Sequence, residues 1–172
     1  MAHNRILKLV MSASFASLVC VATMVIKIPT PTNGYINLGD CIVLLAGWLL
    51  GPIYGVFAAA IGSCLADIFA GFPAYSIATF VIKGIVALLA YVIYRRKHAM
   101  LAIVSAIIAE IFMVFGYFLF ECFFMGYGIG AAVGIPANAI QGVVGAILAL
   151  VLLSVFTKNK ALAGFFETFK NK

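Results

Sequence analysis

Charge is what this sequence has least of. Of its 172 residues, 9% are charged and 66% are hydrophobic, whereas a soluble domain carries about 25% charged residues. Mean hydropathy is +1.21. A membrane span takes about 20 apolar residues, so the length accommodates about six spans and no separate soluble domain. Histidine is scarce as well. His3 and His98 both lie beside basic residues at expected membrane edges, which leaves little material for a His-ligated metal centre or for acid–base chemistry. The four cysteines (Cys20, Cys41, Cys64, Cys122) are scattered through apolar segments with no CxxC spacing, the pattern of buried free thiols. No GxxxxGK[ST], HExxH or GxSxG motif occurs. These absences argue against an enzyme, a nucleotide-hydrolysing protein and a metalloprotein. No catalytic residue, metal or cofactor is expected.

What is present divides into apolar segments punctuated by Gly, Pro and charge. Helices are expected at about residues 6–26, 40–50, 53–69, 77–94, 101–122 and 137–156, within one membrane domain spanning 1–172. The first follows Arg5 but lacks a cleavage site and a polar mature chain behind it, so it reads as a retained helix. The second is short for a span and is broken by Gly51-Pro52. The glycine-rich MGYGIGAAVGIP after the fifth reads as a mobile loop over a pocket, and LAGFFETFKNK as an amphipathic interfacial tail.

Nine of the eleven Lys and Arg fall at the N-terminus, the turn between helices 4 and 5, or the C-terminus. Six spans place all three on one face, which the positive-inside rule makes cytoplasmic. The net charge of +6 is therefore a topology signal and implies no nucleic-acid partner. The expected fold is an all-α, six-helix membrane bundle with both termini cytoplasmic.

Within the spans, a few ionisable groups need explaining, because a charge facing lipid costs roughly 2.5–3.5 kcal/mol or more. At about 1.5 Å rise per residue, Asp67, Lys83, Glu121, Asn138 and Gln141 all fall in the outer half of the bundle. Glu110, Tyr117 and Glu121 share one stripe of helix 5, with Glu110 near mid-membrane. Each also has a plainer reading. Asp67 and Lys83 would neutralise one another, Asp40 would cap helix 2, Glu121 would mark the membrane edge, and Asn138 and Gln141 would cap helix 6. Tyr35, Phe72, Tyr75, Tyr117 and Tyr127 adjoin the polar groups and could stack on a flat heterocycle. On helix 1, Ser12, Ala13, Ala16, Ser17 and Cys20 form a small-residue face, suited either to internal packing or to a partner helix.

The ordered series Ile36-Asn37-Leu38-Gly39-Asp40, Leu50-Gly51-Pro52 with Gly55, Gly62-Ser63 with Ala66-Asp67, Thr79-Phe80 and Ile82-Lys83-Gly84 resembles the S components of energy-coupling factor (ECF) vitamin transporters. The resemblance covers nearly the whole chain and is nearest to the branch associated with hydroxymethylpyrimidine and pyridoxine. It implies a substrate-binding subunit of an ATP-driven importer in a bacterial cell membrane, itself non-catalytic. Such a subunit captures a vitamin from outside, then docks through helix 1 onto a transmembrane T subunit coupled to two cytoplasmic ATPases. Residues 29–39 then stand where the family has a loop closing the pocket. The expected substrate-binding set is Asn37, Asp40, Tyr75, Lys83, Glu110, Tyr117, Asn138 and Gln141. The expected docking set is Ser12, Ala13, Ala16, Ser17 and Cys20. Hydroxymethylpyrimidine or pyridoxine is the expected ligand, with riboflavin the alternative. The rival is a stand-alone facilitator or channel that uses Asp67, Lys83 and Glu110 as a proton relay.

Overall fold

Long apolar runs free of internal proline dictate helices, because in lipid each backbone N–H and C=O must be satisfied within its own segment. The computed structural model describes residues 2–30, 32, 34–95, 98–160, 162, 164 and 166, apart from the side chains of 2–4. Among these are α1 (Ala2–Val25), α2 (Gly39–Leu50), α3 (Tyr54–Ala70), α4 (Ser76–Tyr94), α5 (Ala99–Phe123) and α6 (Ile135–Lys158). A two-residue hairpin, β1 (Ile28–Pro29) with β2 (Tyr35–Ile36), joins α1 to α2 in antiparallel register. The helix bounds agree with those read from the sequence to within a few residues. Of the expected interfacial tail, only Leu162, Gly164 and Phe166 are among the described residues, and Phe166 is buried edge-on against Phe15 and Phe156.

One loop differs from expectation. Gly126 and Gly128 adopt positive φ and end α5, but residues Gly128–Gly134 then wind into a 3-10 helix that leads directly into α6. Ala131 and Gly134 are buried in it. The glycines stop one helix and pack the start of the next, where a mobile loop had been expected.

The helix α2 is the hub. Every residue in it except Ile42 is buried, and it packs against α1, α3, α4 and α6. Trp48 in its C-terminal half is fully buried and donates its indole N–H to Ser105 Oγ on α5 at 2.9 Å. Small residues permit this crowding, as membrane helix packing requires. A side-chain carbon at Gly47 would lie 2.2 Å from the Ala87 carbonyl oxygen of α4, and one at Gly55 would lie 2.2 Å from that of Ala46. Four helices (α1, α4, α5, and α6 with its 3-10 lead-in) are long and apolar enough to cross a membrane, while α2 and α3 are shorter.

The face expected on α1 for docking is split. Ser12 donates to the Tyr54 carbonyl oxygen at 2.9 Å, and Ala16 lies so close to α3 that a carbon on Gly62 would meet its carbonyl oxygen at 2.4 Å. Those two serve internal packing. Cys20 is half-buried beside Met24. Ala13 and Ser17 are exposed, in a stripe with Leu9, Val10, Leu18 and Val21.

Candidate functional site

The site is built where α3, α4, α5 and α6 meet the loop between α1 and α2. Asn37 precedes α2 and accepts the Gly39 N–H on Oδ1 at 2.8 Å, which ties down the helix entrance. Gly39 must be glycine, because a side-chain carbon there would sit 2.1 Å from Thr23 Oγ1. The next residue, Asp40, is fully buried in the first turn of α2. Its Oδ1 takes an ion-paired hydrogen bond from Lys83 Nζ of α4, and its Oδ2 accepts from Gln141 Nε2 of α6 at 2.6 Å. Gln141 Oε1 in turn accepts from the Asn37 backbone N–H at 2.8 Å and from Asn37 Nδ2 at 3.2 Å. One polar chain thus joins α4, α2, α6 and the loop.

Two of the plainer readings are corrected here. Lys83 pairs with Asp40 and not with Asp67. Asp40 does not cap α2, since Leu38 occupies the cap position without a side-chain bond. The reason is depth: seven residues into α4, the Lys83 ammonium meets the first turn of the short helix α2 and lies 5.4 Å from the Tyr117 ring centroid. Asp67 instead accepts the Tyr35 hydroxyl on Oδ1 at 2.7 Å. A glycine cap at Gly71 ends α3 just beyond it, with the Phe72 N–H returning to the Asp67 carbonyl oxygen at 2.8 Å.

Above this chain lies a cavity of about 30 Å3, room for a water or two. Its walls include Asn37, Tyr75, Tyr117, Asn138 and Gln141 of the expected set. Asp40, Lys83 and Glu110 are not among its lining residues. Asp40 and Lys83 stand behind Gln141. Glu110 is buried beside Gly142, and both its oxygens lack a hydrogen-bond partner. It borders a separate apolar groove of about 390 Å3 between α5 and α6. The shared stripe of helix 5 is kept, yet Glu110 lies about 10 Å deeper than Tyr117.

The outer wall is a clasp on the loop. Glu121 Oε1 accepts from Thr32 Oγ1 at 2.9 Å and from the Tyr75 hydroxyl at 3.2 Å, while that hydroxyl lies 2.6 Å from the Thr32 carbonyl oxygen. Glu121 is therefore more than a membrane-edge marker. Tyr35 packs against Phe72 with ring centroids 4.8 Å apart and the planes tilted by 41°. Burial, then the adjacent carboxylates, push both the Tyr35 and Tyr75 phenols above their ordinary range; both stay protonated donors. Thr79 and Tyr117 share a hydroxyl contact at 3.0 Å. The threonines Thr30, Thr32 and Thr79 were missed in the sequence. Small hydroxyls carry no periodic signal; the TPT run in a polar loop pointed to Thr30 and Thr32, and Thr79 stood in the family-like series without a binding role.

A membrane-embedded helical bundle with a polar cavity near one end, closed by a clasped loop, is the architecture of a small-solute-binding membrane subunit. The chain matches the family described as ECF-type riboflavin transporter, S component, over residues 3–158. It belongs to that family, whose members are the substrate-binding, non-catalytic subunits of transporters with the ATPase on partner chains. A solved structure described as "Structure and mechanism of the S component of a bacterial ECF transporter" is similar to it, with a TM-score of 0.69 and 28% identity over 96% of this chain and 98% of that one. An "Uncharacterized protein in gap 3'region" of Pyrococcus woesei is 46% identical over 67 residues, which are 38% of this chain and 45% of that protein.

Proposed function

We propose that this chain captures a flat heteroaromatic vitamin in the cavity beneath the loop between α1 and α2, and releases it inward when docked on a T subunit with two ATPases. The observation that carries the reading is the cavity itself. It is lined by amide and hydroxyl groups for ring edges and by Tyr35, Phe72, Tyr75 and Tyr117 for ring faces, and it belongs to a chain of the S-component family. In this reading all six helices span the membrane, both termini are cytoplasmic, and the cavity faces outward in a bacterial plasma membrane. The exposed stripe of α1 that holds Ala13 and Ser17 is the docking surface.

Riboflavin is the first candidate ligand, because the family it matches is named for that vitamin. Hydroxymethylpyrimidine and pyridoxine form the second reading. The free space of about 30 Å3 is far below the 300–1,000 Å3 of an ordinary ligand pocket, and a one-ring ligand needs the smaller movement of the loop. The test is calorimetric titration of the purified chain with all three compounds. The quenching of flavin fluorescence serves as a second signal, since Trp48 is buried away from the cavity. Tight one-to-one binding of one compound without any ATPase is expected; binding of none removes the reading.

A further inference from the structure

Two acidic side chains line the cavity, and each holds one oxygen in reserve. Asp67 is 5% exposed and Glu121 is 2% exposed. Asp67 Oδ1 is taken by Tyr35 and Glu121 Oε1 by Thr32 and Tyr75, so one oxygen of each acid already accepts hydroxyl donors. Asp67 Oδ2 and Glu121 Oε2 are buried and have no hydrogen-bond partner. Thr79 shares a hydroxyl contact with Tyr117 and also adjoins the Asp67 carboxylate, without reaching Oδ2 at hydrogen-bonding distance. Beside Glu121 Oε2 stands Gly134, where a side-chain carbon would come to 3.0 Å of it and 3.1 Å of Thr32 Oγ1, so the backbone packs closely there and supplies no side-chain donor. No Lys, Arg or His is among the lining residues. The intramembrane lysine, Lys83, is committed to Asp40 behind Gln141. A buried acceptor with no donor is costly, and a buried charge with none more so.

We propose that Asp67 and Glu121 are specificity-determining residues that receive hydrogen bonds from the ligand. The ligand of this cavity would then carry at least two N–H or O–H donors, or a positive charge, and no anionic group. Ring amines, protonated ring nitrogens and hydroxymethyl or polyol hydroxyls fit; phosphate esters and free carboxylates do not, because a further anion beside two carboxylates meets repulsion with no cation lining the cavity to offset it. This deepens the proposed function and rests on it for the identity of the cavity.

The test uses matched pairs on the full chain in detergent: riboflavin with its 5'-phosphate, pyridoxine with its 5'-phosphate, and thiamin with its monophosphate. Whichever parent binds, its phosphate should bind at least about 10-fold more weakly. Asp67→Asn and Glu121→Gln should each weaken the parent by about 10-fold or more, as expected for loss of a hydrogen bond to a charged group. Equal or tighter binding of the phosphate, or variant affinities within twofold of the parent chain, overturns the proposal. A second measurement needs no ligand. An Asp67 held for a ligand and not for the fold predicts that ligand-free Asp67→Asn melts at or above the unsubstituted chain. A clear drop in its melting temperature would make Asp67 structural and overturn the proposal on that arm. If no compound in the panel binds, the substrate reading of the previous section fails, and the melting comparison alone decides this one.

Discussion

Lys83 is the residue whose removal should cost most, for a reason visible in its surroundings. It is 3% exposed, and among the described residues its charge is balanced in direct contact by Asp40. Taking one member from a buried pair leaves the other ionised without a partner, which typically costs about 3–5 kcal/mol. Lys83→Met is therefore expected to lower thermal stability in detergent by about that amount. Adding Asp40→Asn should recover at least half, because an amide oxygen still accepts from Gln141 and no charge remains. A double variant no more stable than the single would mean that the pair serves packing and not charge balance. Gly39 gives a steric counterpart. Gly39→Ala forces a carbon to 2.1 Å from Thr23 Oγ1 and should cost about 1–3 kcal/mol, the range for overpacking a filled site. Thr23→Ala in the same chain should relieve most of it, as a melting curve would show.

Among the elements, the hairpin-bearing loop has the least support of its own, being held by two short strands and a few side-chain bonds. Tyr75 reaches both the Thr32 carbonyl and Glu121, so Tyr75→Phe removes the single hydroxyl shared between them and leaves the ring in place. Amide exchange over residues 28–36 should rise by about 10-fold or more, since local opening is governed by the few contacts that close it, while exchange in α2 stays unchanged. Equal protection in the variant would show that the loop is held by Tyr35 and Phe72 instead. The elements themselves were legible in the sequence: apolar runs between Gly, Pro and cationic stops gave all six helices, because in a membrane the backbone has little alternative to helix. The burial of α2 was half legible, through its length. Partner choice was not legible. Asp67 and Lys83 are near in depth, but the ion pair goes to Asp40 because α2 starts at the level of the Lys83 ammonium, and helix order around a bundle is not encoded in spacing along one helix. The α1 stripe was misread in part for a similar reason: Ser12 and Ala13 are neighbours in sequence, yet one bonds α3 and the other faces outward.

At the scale of the whole molecule, the placement of charge separates a binding subunit from a self-sufficient carrier. A proton relay from Asp67 through Lys83 to Glu110 requires those groups to exchange partners along a path. The structure instead commits Lys83 to Asp40, ties Asp67 to Tyr35, and sets Glu110 against an apolar groove with both oxygens unbonded. A water chain through such a bundle would have to cross Gln141, Asp40 and the packed side chains of α2, which are buried along nearly the whole helix. The chain alone, reconstituted in vesicles with riboflavin, pyridoxine or hydroxymethylpyrimidine outside, is therefore expected to bind without accumulating ligand, whether or not a proton gradient is imposed. Accumulation should begin only when the T subunit and ATPases are co-reconstituted and ATP is supplied. Substituting Ala13 and Ser17 together by Phe should abolish that coupled uptake while leaving binding within about twofold, because both side chains point away from the bundle and small residues are what let a second helix approach closely. Uptake by the chain alone that collapses with the gradient would instead require the buried polar chain to open, and would make the carrier reading the correct one.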